Sequence, residues 1–261
     1  MSRGRLSGLS GLAAAALAAT FLATHAPVAR AGESARALLD SGLAAYAKGA
    51  YDEAVTTFTK VLAEGVDDPV VHYDLGNAYF KSGKLGLAIY HYRRAHALAP
   101  RDDDVTANLD YARFLAVDRI EGEGTRTDRR VEGWLDRVTP DEAFRVASLL
   151  WVLVGLSAVV WQLVPGRSLA WRRVTTWLLV AWALVFAGAW TVERRASHLK
   201  EAVVVAPQAD VRNGPGPTFA TAFVLHEGAE VVVEGQRGEW TEISLPGDLR
   251  GWIQGSNIAR L

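Results

Sequence analysis

The sequence predicts a multidomain chain: an α-helical repeat module, two transmembrane helices and a small all-β barrel. Three observations lead there. Gly42, Gly49, Ala54 and Phe58 recur in the same order, at one constant offset, as Gly76, Gly83, Ala88 and Tyr92. A period of roughly 34 residues belongs to stacked helix-turn-helix repeats. Two uncharged runs follow, Val146 to Val164 and Val174 to Val192. Each run spans about 28 Å as a helix, against a hydrocarbon core of roughly 30 Å. Beyond residue 202, short β-branched runs alternate with glycine turns, the pattern of a small barrel.

Composition narrows the function classes. The net charge is -1, so no global basic field attracts nucleic acid. Half the residues are apolar and the mean hydropathy is +0.08, high for a soluble protein. Six of the nine tryptophans fall between Trp151 and Trp190, which points to a membrane. The absence of cysteine removes disulfides, thiolate catalysis and Cys-based metal sites.

Residues 1–31 read as a signal peptide. Arg3 and Arg5 precede an Ala/Leu-rich stretch from Leu6 to Ala23, and Ala29-Arg30-Ala31 supplies a small-residue cleavage site. An uncleaved anchor helix is the alternative, and on either reading the segment that follows is exported.

Residues 35–117 form the repeat module. Leu75, Gly76 and Tyr79 belong to the first helix of the better repeat, Ala88, Tyr92 and Ala95 to its second, and Pro100 closes it. Gly76 and Ala88 are small where the helices cross, with Tyr79 and Tyr92 filling the space on either side. Gly83, in the turn Lys81 to Lys84, supplies the left-handed conformation that ends a helix. The first repeat is weaker, with Ser41 in place of leucine and Val61 in place of alanine. Asp102, Asp103 and Asp104 suit a helix N-terminus, so Val105 to Val117 reads as a helix that caps the stack.

Residues 118–138 carry Gly122, Gly124 and charges of both signs, a solvated linker. Trp134 and Leu135 near its end suit a membrane surface. Residues 139–192 form the hairpin. Thr139, Pro140 and Glu142 make a helix start with a capping box, and the spans are 146–164 and 174–192. Trp151, Trp161, Trp171 and Trp190 lie near their ends, as in an aromatic belt. The turn carries Arg167, Arg172 and Arg173 with no acid, which favours the cytoplasmic side, although Arg194, Arg195 and Lys200 follow the second span. An export signal and an even number of spans put both flanks outside the cytoplasm. Ala183 and Ala187 are either a small-xxx-small contact or lipid-facing filler.

Residues 202–261 read as five or six short strands, including Val203-Val204-Val205, Val211, Val231-Val232-Val233 and Ile243 to Leu245. Gly228, Gly235, Gly238 and Pro246-Gly247-Asp248 punctuate them as turns.

Two segments carry a family resemblance. Tyr73-Asp74-Leu75-Gly76-Asn77-Ala78-Tyr79 through Ala88, Tyr92-Arg93-Arg94-Ala95 and Pro100 resembles a tetratricopeptide repeat. Asp210-Val211-Arg212-Asn213-Gly214-Pro215 with Gly228, Trp240, Ile243 and Gly251-Trp252-Ile253 resembles a bacterial SH3-like domain. The order signal, tetratricopeptide pair, hairpin and SH3-like domain is similar to the BatE-type proteins of bacterial aerotolerance operons, and Asn108 to Arg113 also suits them. The resemblance implies a multi-pass protein of the bacterial inner membrane, its repeat and SH3-like domains in the periplasm. It also implies an envelope complex with MoxR-type ATPases and von Willebrand factor A proteins, and no known reaction.

Site candidates favour binding over chemistry. His91 and His96 are five apart, off the spacing that puts two ligands on one helical face. No nucleophile motif, phosphate loop or metal cluster stands out, so the reading is a non-enzyme without cofactor or metal. In tetratricopeptide arrays the first helix of each pair lines the concave groove, which places Tyr73, Asn77, Phe80 and Lys81 there, with Tyr46 from the preceding repeat. Asn77 and Lys81 are i,i+4 neighbours, able to hold a carboxylate or a peptide carbonyl. Alternatively Asn77 bonds across the helix pair and Lys81 is solvated. Trp240 and Ile243 lie three apart on one strand and so face opposite ways. With Ile243 in the core, Trp240 is a contact or wall-binding residue, or it packs on a neighbouring loop; Trp252 is ambiguous. The chain therefore reads as a membrane-anchored scaffold for envelope proteins, with peptidoglycan recognition by the barrel as the alternative.

Overall fold

The computed structural model describes residues 33–118, 138–163, 169–198, 201–247 and 249–261. The proposed signal peptide, most of the charged linker including Trp134 and Leu135, and Arg167 lie outside them. The described residues fall into two compact units: Val138–Ser197 forms one, and the helical module together with the C-terminal sheet forms the other.

Five helices build the module: α1 (Glu33–Ala47), α2 (Tyr51–Ala63), α3 (Pro69–Lys81), α4 (Leu85–Leu98) and α5 (Asp103–Leu115). The echo in the sequence is structural. A side chain at Gly42 would collide with the Phe58 ring, and one at Gly76 with the Tyr92 ring, so each helix pair closes by seating an aromatic on a glycine. Gly49 and Gly83 both take φ of +77°, where any Cβ is strained. The helix starts follow their chemistry. Asp68 accepts from the Val70 amide at 2.8 Å with Pro69 behind it, and Asp102 accepts from the Asp104 and Val105 amides at 3.0 and 3.2 Å, as N-caps do.

The C-terminal region is one antiparallel sheet of seven strands: β1 (Glu201–Val204), β2 (Gln208–Arg212), β3 (Thr221–His226), β4 (Glu230–Arg237), β5 (Trp240–Leu245), β6 (Leu249–Gln254) and β7 (Ile258–Arg260), in the order β3-β2-β6-β5-β4-β1-β7. Leu225 on one edge strand and Ile258 on the other share a single core with Val204, Val211, Val231, Ile243 and Ile253, so the sheet is strongly curled. It is not closed, because β3 and β7 are not paired with each other. Two expectations change. There are seven strands rather than five or six, since β3 is mostly exposed or half-buried and β7 has only three residues, so neither carries a clear alternation. Gly235 is not a turn: it lies within β4, where the register with β5 shifts between Val233 and Gly235, the mark of a bulge. Gly228, Gly238 and Gly247 do have positive φ and serve as turns.

The sheet is docked on the helices. Val203 is fully buried among Ile89, Tyr92, Leu109 and Ala112 while Ala202 and Val204 enter the sheet core. A strand buried on both faces reads as a continuous apolar run, which is why Val203-Val204-Val205 shows no alternation. A Cβ on Gly86 would overlap the Val204 carbonyl, and one on Gly228 would press on Ile89 and Ala116; both glycines permit the close approach. Glu230 is gripped by Arg113, Nε to Oε1 at 2.6 Å and an Nη to Oε2 at 3.0 Å, and by Arg93 at 2.9 Å. Arg93 also pairs with Glu201, and the Gly86 amide donates to Glu227 at 2.9 Å. Burial by itself would raise the Glu230 carboxyl, but the bond from Arg113 and the charges of Arg93 and Arg113 outweigh it and hold the group below the usual carboxylate range. Asp118 is not solvated linker: it accepts from the His226 amide at 2.6 Å.

The other unit pairs α6 (Pro140–Leu163) with α7 (Leu169–His198). Thr139 and Glu142 exchange side-chain bonds with each other's amides, both at 3.3 Å, a capping box. Both helices are long and apolar enough to cross a membrane, by Pro140–Gln162 and Trp171–Thr191. They meet through Trp151 and Trp182 at 4.7 Å, Phe144 and Phe186 at 6.2 Å, and a Ser157–Thr175 hydroxyl pair at 2.9 Å. Ala183 and Ala187 are exposed, whereas Ala189 is buried; aromatic side chains set the spacing, and the small pair faces outward. Arg172 and Arg173 belong to α7 rather than to the turn.

Candidate functional site

Three helices share one register. Positions 43, 77 and 111 are Leu43, Asn77 and Tyr111; positions 46, 80 and 114 are Tyr46, Phe80 and Phe114. Each set steps by the repeat offset and is carried in turn by α1, α3 and α5. Leu43, Tyr111, Phe114 and Leu115 are among the exposed large apolar side chains, Tyr111 and Phe114 at 56% and 59%. Exposed apolar surface concentrated on one face signals an interaction site.

The expected groove residues divide into floor and rim. Tyr73, Asn77 and Phe80 are half-buried. The Tyr92 hydroxyl donates to Asn77 Oδ1 at 2.8 Å, and Asn108 Nδ2 donates to the same oxygen at 3.0 Å and to the Tyr73 hydroxyl at 2.9 Å. Asn77 therefore bonds across the helix pair and locks α3, α4 and α5 together, so its carbonyl is committed within the fold. Phe80 meets Tyr111 at 5.8 Å between ring centroids. Tyr46 is half-buried and stands edge-on to Tyr51 at 5.3 Å. Its phenol is held above the usual range by burial and by Tyr51, Tyr73 and Asp74, which sets it beside the α3 face. Lys81 is exposed in the last turn of α3.

Sequence reasoning missed Asn108, Tyr111 and Asp74, although a signal was present. Asn108 follows Asp74, and Tyr111 follows Asn77, by the same offset that links Gly42 to Gly76. Carrying the register into the capping helix finds all three.

Trp240 lies on the sheet, away from this group. Thr241 and Ile243 are fully buried while Trp240 is partly exposed, so alternation puts Trp240 and Ile243 on opposite faces. Trp240 lines a cavity of about 390 Å³ with Gln208, Asp210, Arg212, Gln254 and Asn257. The Arg212 guanidinium sits 5.9 Å from the Trp240 ring centre, held by the carbonyls of Pro217 and Phe219 at 2.7 and 2.9 Å. Trp252 is half-buried beneath Arg237, at 5.8 Å. Among the described residues no group of three or more His, Asp or Glu is placed to hold a metal ion.

Residues 69–102, which hold α3 and α4, match the tetratricopeptide repeat family model. Among solved structures, the chain is similar to the tetratricopeptide domain of Sgt2 from Aspergillus fumigatus, at 19% identity and a TM-score of 0.30, over 64% of this chain and 81% of that one. No curated protein matches the chain.

Proposed function

We propose that the protein is a non-enzymatic, membrane-anchored scaffold whose concave groove captures a segment of another protein. The observation that carries this reading is the row of aromatic and apolar side chains at repeat positions on α1, α3 and α5, of which α3 lies in the segment that matches the tetratricopeptide family. Repeat arrays of this kind use that face for protein partners, as the fold leaves its apolar surface uncovered there. The resemblance to BatE-type proteins adds the finer content: an envelope complex with MoxR-type ATPases and von Willebrand factor A proteins at the inner membrane.

The two apolar helices support anchoring, and the docked halves support an even number of crossings. Residues before the hairpin bind residues after it through Glu230, Arg93 and Arg113. A chain that leaves such a unit and returns to it crosses a bilayer an even number of times, which fits both helices spanning. With an export signal, both halves of the unit belong in the periplasm on this reading. The C-terminal sheet, curled about one core, supports a bacterial SH3-like module with an open edge.

Co-purification in detergent tests the groove. Lys81→Glu combined with Tyr111→Ala changes exposed side chains, so the variant folds and loses specific partners; unchanged partners would count against the assignment. A second reading has its own observation, the cavity at Trp240: an aromatic face beside amides suits a saccharide of the cell wall. The full-length protein should then sediment with purified peptidoglycan sacculi, and Trp240→Ala should release it. Binding indifferent to that substitution removes the second reading.

A further inference from the structure

Asp74 is set apart from the other acids of the helical module. Asp52 pairs with Lys84 at 3.1 Å, Asp67 meets both His72 and Arg94 at 2.9 Å, and Asp68 and Asp102 cap helices. Asp118 holds the His226 amide. Asp74, half-buried on α3 between Tyr73 and Asn77, has neither a hydrogen-bond nor an ion-pair partner among the described residues.

Its counterparts in the repeat show what this costs. Asp40, one repeat earlier, is exposed to water. Asn108, one repeat later, is neutral and donates its amide hydrogens to Tyr73 and Asn77. Only the middle position holds a partly desolvated carboxylate, and burial raises it to about 6. Lys81 lies two turns further along α3, about 10 Å by helical rise, too far to neutralise it. A buried ion without a partner is destabilising, and one kept in a binding face is a functional candidate.

We propose that the groove receives an apolar protein segment bearing one basic side chain, and that Asp74 accepts the ammonium or guanidinium of that side chain. The inference rests on the groove reading above. Charge complementarity selects the occupant: an acidic segment would set like charges together in a partly dry site, while a basic one supplies the missing counter-ion. Tyr46 lies near the carboxylate and provides an aromatic face that also favours a cation. Leu43, Phe80, Tyr111 and Phe114 take the apolar remainder. This reverses the polarity suggested by Asn77 and Lys81, because the half-buried group without a counter-charge on this face is the Asp74 carboxylate, which repels an acidic segment.

The test uses the full-length protein in detergent micelles and fluorescence anisotropy. Three short labelled peptides share one Leu/Phe pattern and differ only in carrying Lys, Gln or Glu at a central position. The Lys peptide should bind about tenfold more tightly than the Glu peptide, a factor equal to ~1.4 kcal/mol. Asp74→Asn should abolish that preference, and Phe80→Ala with Tyr111→Ala should weaken all three peptides alike. Equal binding of the three to the native protein, or a Lys preference that survives Asp74→Asn, overturns the cation site and leaves the groove standing. Binding of all three unaffected by the Phe80/Tyr111 pair overturns the groove itself.

Discussion

His72 and His91 stack with their Nδ1 atoms 3.0 Å apart, both buried, and only one of the two carries the shared proton. Burial lowers both, His91 further, to about 3, with the charges of His72 and Arg94 adding to the effect. On His72, the bond to Asp67 works the other way without overcoming burial. A histidine whose folded pKa lies below its unfolded value of about 6.5 gives the unfolded chain more protons between the two. Stability is therefore fully present above about pH 6.5 and falls as the pH drops from there toward 3. Thermal melts of the full-length protein should show a lower midpoint at pH 5 than at pH 7.5, and His91→Gln should flatten that difference. An unchanged slope in the variant would show that other groups carry the acid sensitivity. Neither partner was legible in the sequence as a pair, since they sit on different helices and only the crossing of α3 and α4 brings them together. Trp240 was legible, because strand alternation needs only its neighbours.

Elements with local signals were read closely. Capping aspartates, the Thr139–Glu142 box and the glycines at positions 49 and 83 act through bonds to nearby residues, so their meaning is written beside them. The joint between module and sheet was not legible. Glu230 and Arg113 look like ordinary surface charges in sequence, and their meeting across 117 residues depends on the whole fold. The Val203-Val204-Val205 run was the available hint, since it lacks the alternation of a strand with one wet face. Glu230→Ala leaves Arg93 and Arg113 partly buried without their shared carboxylate. Breaking such a buried pair costs on the order of 3–5 kcal/mol, less where water reaches the arginines. Amide exchange should rise in α5 and β1 while the interior of α2 keeps its protection. Uniform protection throughout would show that apolar packing around Val203 holds the joint alone. The Glu230 carboxyl is held low, so its contribution is present at neutral pH and is lost as acid protonates it.

For the whole molecule, the apolar helix pair is an insertion into one folded body rather than a bridge between two. Residues up to Asp118 and from Glu201 onward pack as a unit, which makes the hairpin a tether that leaves the groove's geometry to the soluble elements. The sheet covers the outer side of α4 and α5 through Gly86, Ile89 and Ala116, and the face bearing Tyr46, Phe80 and Tyr111 stays open. A small array thus gains rigidity from its own C-terminal region, and rigid grooves lose less entropy on binding. Site-specific photo-crosslinking in living cells reads out directly whether the face bearing Tyr111 and Lys81 holds a protein partner. A photo-reactive residue replaces Tyr111 or Lys81 in the groove, or exposed Lys60 on α2 as a control. A partner-binding groove on this face predicts discrete protein adducts from positions 111 and 81 and none from position 60. Adducts of equal yield from all three, or from position 60 alone, would contradict it.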